Sequence, residues 1–359
     1  MTQSRPRTLG VIALAGATAL TLSACVDSGR TSNPDSEQES ASTECPVEVN
    51  EDITTSAVIA YQPIPNGDLV VRDLGWLEAC MPNADITWEQ FNSGGEVVQA
   101  FGSDSVDLAL IGSSPGTKAL SPPISDDLQV VWIHTVIGEA ESLVVQDSVD
   151  ATSLAELDGK RVAVPFASTA HYSLLAALDR EEMTPSDINL TNLSPDAMLA
   201  AWEREEIDAA WVWAPTLPEL LDTGSIILSA EDTADVAPTY DLAAATTPFV
   251  EENPEFMEIW TAAQNEAVTM IKDDPENAAA SVAVQLGIEP DQVLSQFEGY
   301  IYLDASEQAG EDYFGGALGQ DLINTADFLV TQEEIDEVNP PEDYENAIYT
   351  DAIDAVAGQ

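Results

Sequence analysis

The sequence predicts an α/β protein with two lobes, each a mostly parallel sheet flanked by helices. Short apolar, β-branched runs alternate with helical segments over about two thirds of the chain, and the links between them are short. This alternation is typical of parallel sheets covered by helices. The chain has 359 residues, 45% of them hydrophobic, which is enough for two cores of ordinary domain size.

The first lobe is predicted to comprise residues 47–140 and 245–359. Its apolar runs predict strands at 53–61, 86–91, 106–111 and 128–135. Asp68 is a candidate N-cap for a helix that reaches Cys80, and Ser93 begins another helix that ends at Phe101. After the second lobe the pattern becomes helical, with predicted helices at 253–272, 275–286, 290–299, 311–329 and 342–356.

The second lobe is predicted to comprise residues 141–244. Strands are expected at 162–165, 188–193, 207–212 and 226–228, with a helix after each of the first two. The chain is expected to cross between the lobes twice, near 141–146 and 240–246, which gives a hinge of two strands. In such sheets ligands sit beyond the carboxyl ends of the strands, so the segments that follow the strands are the candidate binding regions.

The segment around residues 160–178 organises the second lobe. Pro165 ends a buried strand, and Ser168 or Thr169 can cap the helix that follows. A helix N-terminus presents free backbone N–H groups and favours an anion. There is no glycine-rich phosphate motif, so the hydroxyls indicate a small anion rather than a nucleotide. An ordinary strand–turn–helix remains the alternative.

The charge balance is extreme, with 10 basic residues against 65 acidic ones and a net charge of −55. Phosphate backbones would be repelled, so we expect no nucleic-acid partner. An acidic, solvated coat suited to high salt is favoured over a cation-binding role.

The N-terminus has the order of a lipoprotein signal peptide. A basic start is followed by an apolar stretch too short to span a membrane, and then by the lipobox sequence LSAC at 22–25. We expect residues 1–24 to be removed, Cys25 to be acylated, and residues 25–46 to form an acidic, flexible tether. The protein would then lie on the outer face of the cytoplasmic membrane. An ordinary secretory signal is the alternative.

The two remaining cysteines, Cys45 and Cys80, can pair in an oxidising compartment, although two free thiols remain possible. No Cys-x-x-Cys motif occurs and there are only two histidines, so we expect no metal site and no cofactor.

Several polar and aromatic residues at the predicted strand ends and crossings are candidate ligand contacts. Each also has a purely structural explanation, as a turn, cap, core or surface residue. They are Ser113, Ser114, Glu141, His171, Tyr172, Trp213 and Asp241. Ser168 and His171 lie three apart, but no Gly-x-Ser-x-Gly motif or orienting acid accompanies them, so we predict that the protein is not an enzyme.

The chain resembles the taurine-binding proteins of bacterial ABC importers from about residue 61 to 344. The resemblance is carried by IGSSP at 111–115, ESLVV at 141–145, the whole of 159–178, AAWER at 200–204, IDAAWVWAP at 207–215 and APTYD at 237–241. Segment 63–68 and the scarcity of Lys and Arg depart from the family pattern.

The resemblance implies the type II periplasmic binding protein fold, with taurine held between the lobes and an ABC permease as partner. The sulfonate is then expected to contact Ser113, Ser114, Ser168 and Thr169, with Gln62 nearby. The ammonium is expected to contact Glu141 and Asp241, with Trp213 covering the chain. We expect a monomer. The alternatives are a receptor for another aliphatic sulfonate or small zwitterion, or an enzyme on the same fold.

Overall fold

The computed structural model describes residues 44–358. The predicted signal peptide, Cys25 and most of the predicted tether lie outside the described residues. Eleven strands are present: β1 Ser56–Tyr61, β2 Asp85–Gln90, β3 Leu108–Gly112, β4 Leu128–Ile137, β5 Ser142–Gln146, β6 Arg161–Val164, β7 Asn189–Asn192, β8 Ala209–Val212, β9 Gly224–Ser229, β10 Tyr240–Thr246 and β11 Tyr300–Ile301.

The helices alternate with these strands and then follow one another in the last third of the chain. They are α1 Gly67–Leu74, α2 Trp76–Cys80, α3 Gly94–Phe101, α4 Ser113–Leu120, α5 Thr169–Arg180, α6 Pro195–Glu203, α7 Thr216–Leu221, α8 Thr247–Glu252, α9 Pro254–Asp273, α10 Pro275–Leu286, α11 Pro290–Phe297, α12 Ala305–Gln308, α13 Ala317–Thr331, α14 Pro341–Asn346 and α15 Asp351–Ala357.

The strands form two sheets, which confirms the predicted fold class. The first has six strands in the order β11-β4-β10-β3-β1-β2, and the second has five in the order β7-β6-β8-β5-β9. We call each sheet with its helices the first and second lobe. Each lobe has its own hydrophobic core.

Both sheets are mixed rather than mostly parallel. In the first, β1 is parallel to β2 and β3, whereas β10 is antiparallel to β3 and β4. In the second, β6 is parallel to β7 and β8, whereas β5 is antiparallel to β8 and β9. The antiparallel pairs arise where the chain enters one sheet directly from the other, without the helical crossover that parallel pairing requires.

The return to the first lobe occurs earlier than expected. The whole of β10 pairs with β3 and β4, so residues 240–244 belong to the first sheet and not to the second lobe. The chain therefore crosses between the sheets at about 138–141 and again at 230–239. At the first crossing the N–H groups of Gly138 and Ala140 both donate to the carbonyl oxygen of Gly299, at 3.1 Å.

The first helix differs from its prediction at both ends. Asn66, not Asp68, is the N-cap: its side chain accepts a hydrogen bond from the Asp68 N–H. Gly75 then ends α1 and separates it from α2. Its φ of 62° lies in the left-handed region, which glycine adopts more readily than other residues. The disulfide between Cys45 and Cys80 ties the start of the described chain to the end of α2.

The remaining differences concern short elements that depend on their neighbours. The two-residue strand β11 and the short helices α7 and α8 were not expected, and the single helix predicted at 342–356 is divided into α14 and α15. Within residues 44–358, no helix has both the length and the apolar character needed to cross a bilayer.

Candidate functional site

A cavity opens where several strands of both sheets end. Gln62 follows β1, Gly112 ends β3 and Ser168 follows β6, so the carboxyl ends of three parallel strands contribute to its wall. It is narrow, with a volume of about 20 Å³. The lining residues are Gln62, Ile64, Gly94, Gly112, Pro115, Glu141, Ser168, Thr169, Trp213, Asp241 and Tyr300.

The cavity brings together most of the site residues that the sequence suggested. Of the ten candidates, six lie in its wall, and they come from both lobes: Gln62, Glu141, Ser168, Thr169, Trp213 and Asp241. Ser113, Ser114, His171 and Tyr172 are buried but are not part of the lining.

Glu141 places a carboxylate in this cavity with one oxygen unused. Its Oε1 accepts a hydrogen bond of 2.6 Å from the Thr169 hydroxyl, whereas its Oε2 is buried and has no hydrogen-bond partner among residues 44–358. The side chain lies just after the first crossing and only 4% of the residue is exposed. Burial, reinforced by the nearby charge of Asp241, raises the pKa of Glu141 to about 8, although the Thr169 hydrogen bond opposes the shift.

Asp241 places a second buried carboxylate in the same wall. Its Oδ2 accepts a hydrogen bond of 2.7 Å from the hydroxyl of Thr135, on the adjacent strand β4. Burial raises the pKa of Asp241 to about 6, against the effect of that hydrogen bond. In the part of the chain that the structure describes, neither Glu141 nor Asp241 forms an ion pair. The cavity therefore contains two carboxylates without a counter-charge.

Tyr300 is a lining residue that the sequence did not suggest. It begins the two-residue strand β11, which pairs antiparallel with β4. Burial, followed by the negative charge of Asp241, holds the pKa of its phenol well above the usual value, so the phenol stays protonated. Nothing in the sequence marks a single tyrosine after a helix as a site residue. Only the long-range pairing with β4 brings it to the cavity.

The starts of α4 and α5 line the same cavity beside the two carboxylates: Thr169 contacts Glu141, and Gly112 is paired with Asp241 in the first sheet. Gly112 is the N-cap of α4 and provides no side-chain cap, while Ser168 caps α5 by accepting from the His171 N–H. The first N–H groups of a helix have no acceptor within it, and the peptide dipoles favour negative charge there. Two helix N-termini, of eight and twelve residues, thus contribute to one small cavity.

These two helix starts are in close contact across the cleft. A Cβ atom on Gly112 would lie 2.9 Å from Cγ2 of Thr169, closer than real Cβ contacts. Gly112 belongs to the first lobe and Thr169 to the second, so this close approach requires glycine and shows that the lobes are together at this point.

Three serine and threonine hydroxyls predicted to contact an anion are engaged elsewhere. Ser168 donates to the carbonyl oxygen of Pro165 at 2.6 Å, and Thr169 donates to Glu141. The Ser113 hydroxyl oxygen accepts from the N–H of Tyr240. The donors that remain at the helix starts are therefore the backbone N–H groups rather than the hydroxyls of Ser168 and Thr169.

His171 and Tyr172 lie further along α5 and face another part of the protein. The His171 ring stacks on Phe166 with centroids 4.6 Å apart, and its Nδ1 lies 4.0 Å from Glu334. Burial lowers the pKa of His171 to about 4. Tyr172 packs against Phe328 of α13 at 4.8 Å. The helical rotation from Ser168–Thr169 turns these two side chains away from the cavity.

Comparisons with known proteins agree on one family. Residues 82–278 match the NMT1/THI5-like family. The chain is 33% identical over 260 residues to the taurine-binding periplasmic protein of Escherichia coli, covering 70% of this chain and 79% of that protein. It is 27% identical over 239 residues to the putative aliphatic sulfonates-binding protein of Escherichia coli, covering 67% and 74% respectively.

Solved structures share the fold. The alkanesulfonate-binding protein SsuA from Xanthomonas axonopodis pv. citri, bound to MOPS, has a TM-score of 0.67 and 22% identity, and the match covers 82% of this chain and 98% of that one. The desulfurization enzyme DSZB has a TM-score of 0.62 and 16% identity, covering 85% and 99%. At these identities the structural likeness concerns the fold alone.

Proposed function

This chain belongs to the NMT1/THI5-like family, and from that premise we propose that it is the extracytoplasmic solute receptor of an ABC importer, with taurine as its ligand. The observation that carries the proposal is the pair Glu141 and Asp241, two buried carboxylates without a counter-charge in a small cavity that two helix N-termini also line. Such a cavity is complementary to a small molecule with a cation at one end and an anion at the other.

The ammonium group of taurine is assigned to the acidic part of the cavity. Oε2 of Glu141 is an acceptor without a donor, and Asp241 supplies a second carboxylate nearby. A buried charge needs a partner, so a cation that enters here removes the cost of ionising both acids. Simple alkanesulfonates lack the ammonium and would leave these carboxylates unpaired, which gives discrimination against them.

The sulfonate group is assigned to the helix starts. Backbone N–H groups in the first turns of α4 and α5 are its donors, so Ser113, Ser114, Ser168 and Thr169 contribute through the main chain. Gln62 and Trp213 complete the wall, with Trp213 covering the two-carbon chain. His171 and Tyr172 are not part of this assignment, because they face Phe166, Glu334 and α13.

Delivery requires no chemistry by the receptor. We propose that the two crossings form a hinge and that ligand binding favours the state in which Gly112 and Thr169 are in contact. A closed receptor then presents both lobes to the permease. This account assigns the protein to transport rather than to catalysis.

The receptor is also proposed to be a lipoprotein on the outer face of the cytoplasmic membrane. The LSAC sequence at 22–25 supports acylation of Cys25. Expression of the full chain with Cys25→Ser, followed by membrane fractionation, tests this: the wild type should sediment with membranes and the variant should not be lipid-modified. A wild-type protein without a lipid at Cys25 in mass spectrometry would refute it.

Isothermal titration of the purified receptor with taurine, ethanesulfonate and glycine betaine tests the ligand assignment. Taurine should bind much more tightly than ethanesulfonate, which lacks the ammonium, and than glycine betaine, whose methylated nitrogen has no N–H donor. Equal binding of ethanesulfonate would contradict the ammonium site and favour a general aliphatic-sulfonate receptor. Conversion of bound taurine during the titration would instead favour an enzyme on this fold.

A further inference from the structure

We infer that Tyr300 sets the size limit at the amine end of the ligand, because it separates the cavity from a second, apolar groove. The groove would accept an apolar substituent on the ligand nitrogen if Tyr300 were smaller. The inference rests on the proposed function, since it assumes that taurine lies with its ammonium near Glu141 and Asp241.

The second groove lies between the lobes and has a volume of about 270 Å³. Its apolar wall comes from the first crossing and the second lobe: Ala140, Ala214, Leu217, Pro218, Leu221 and Ile226. Leu221 and Ile226 are 39% and 45% exposed, which is high for large apolar side chains. The rest of the lining is mostly polar and includes Glu139, Gln296 and Glu298, but the apolar wall is large enough to suit a hydrocarbon group.

Tyr300 is the residue that the cavity and the groove share. Its backbone is held firmly, because β11 pairs with β4 and the carbonyl oxygen of the preceding Gly299 accepts two hydrogen bonds from the first crossing. A Cβ on Gly299 would lie 2.6 Å from the backbone nitrogen of Ala140, so the two segments are packed backbone to backbone. The ring therefore forms a fixed wall rather than a mobile one.

This wall stands at the amine end of the proposed ligand. Tyr300 lines the same small cavity as Glu141 and Asp241, and Tyr300 and Asp241 pair with opposite edges of β4, at Ile137 and Thr135, so the ring lies near the two carboxylates. An N-alkylated taurine keeps its positive charge and N–H donors, so it satisfies the carboxylates, but its substituent would meet the Tyr300 ring. Removal of the ring would let the substituent reach Leu217 and Leu221 in the groove.

The test measures the dissociation constants of taurine and of N-cyclohexyltaurine for the wild type and for Tyr300→Ala by titration calorimetry. The wild type should prefer taurine strongly. In Tyr300→Ala the ratio of the N-cyclohexyltaurine constant to the taurine constant should fall by roughly tenfold or more, as expected for an apolar group gaining a pocket. Tyr349→Ala is the matched control, since it removes a partly buried tyrosine of the first lobe that lines neither the cavity nor the groove.

Two further variants secure the result. Tyr300→Val makes a smaller change with a residue suited to a strand and replaces Tyr300→Ala if that variant does not fold. Leu221→Trp, added to the Tyr300 variant, should fill the groove and restore the wild-type ratio. Taurine binding with an unchanged ratio in the Tyr300 variants, or an equal change in Tyr349→Ala, would overturn the inference alone. A wild type that binds no taurine would overturn the proposed function and the inference with it.

Discussion

The Thr169 hydroxyl donates a hydrogen bond of 2.6 Å to Oε1 of Glu141, which joins the start of α5 to the first crossing between the lobes. The same contact fixes the carboxylate so that Oε2 is left in the cavity without a donor. One threonine therefore orients the acid and contributes its backbone to the helix start across from Gly112. Thr169 therefore contributes to both the proposed ammonium site and the proposed sulfonate site.

Glu141→Gln tests whether the charge of this side chain holds the ammonium. Glutamine has the same shape and can still accept from Thr169, but it carries no charge. We expect taurine binding to weaken by about 2 kcal/mol or more, roughly thirtyfold, because the cation loses a buried partner. Ethanesulfonate binding should change little or improve. Titration calorimetry with both ligands measures the difference, and an equal loss for both would remove Glu141 from the ammonium site.

Taurine affinity should depend on pH between 5 and 8. The pKa values of Glu141 and Asp241 in the free receptor are raised to about 8 and about 6 by burial. Since the ammonium binds the ionised carboxylates, the affinity should fall as pH falls, by up to about tenfold per pH unit for each group below its pKa. Titrations in this range should show no such loss for ethanesulfonate. A flat profile for taurine would contradict the assignment.

Without ligand, the stability of the receptor should depend on pH in the opposite direction, falling as pH rises. The folded-state pKa of Glu141 lies above its ordinary value of 4.5, so its contribution to stability is present below pH 4.5 and is lost as pH rises through about 8. Glu141→Gln removes this loss. Without ligand, the variant should be more stable than the wild type at pH 9 and similar to it at pH 5, in chemical denaturation. If the variant and the wild type were equally stable at both pH values, burial would not disfavour the ionised form of Glu141.

Thr135 is expected to support Asp241 without touching the ligand. Its hydroxyl donates to Oδ2 of Asp241, and Thr135→Val removes this donor at nearly constant volume. Because the hydrogen bond favours the ionised acid, its loss should raise the pKa of Asp241 and weaken taurine binding by about 1.5 kcal/mol, roughly tenfold. The lower step of the pH profile should move to higher pH. The profile separates a positioning role from a general loss of folding.

Thr239→Val is the matched control for that variant. Thr239 is equally buried and close in sequence to Asp241, but its hydroxyl has no hydrogen-bond partner. Its substitution should leave both taurine affinity and the pH profile unchanged. If Thr135→Val behaved like Thr239→Val, the hydrogen bond to Asp241 would have no role in binding.

The parts of the site that could be predicted from sequence are those built from local structure. A strand, a turn and a capped helix adjoin one another in the chain, so Ser168 and Thr169 could be placed at a helix start and Gln62 after a strand. Glu141 and Asp241 could be placed near the crossings because each adjoins an extended segment that follows a change of pattern. The predicted lobe boundary is wrong because β10 is an apolar strand that would suit either sheet, and its sequence does not show which sheet it joins.

The parts that could not be predicted depend on contacts between distant segments. Tyr300 reaches the cavity only through the pairing of β11 with β4, which joins residues more than 150 positions apart. Thr135 is one polar residue within a long buried strand, and its role becomes visible only when β10 lies beside it. The sequence predicts His171 and Tyr172 at the site, but Tyr172 packs against Phe328 of α13, and His171 stacks on Phe166 near Glu334.

A structure of the receptor bound to taurine tests the central claim most directly. The account predicts the ammonium nitrogen within about 3 Å of a carboxylate oxygen of both Glu141 and Asp241, and sulfonate oxygens at a similar distance from backbone N–H groups that begin α4 and α5. Taurine in the reverse orientation, or bound away from this cavity, would contradict it.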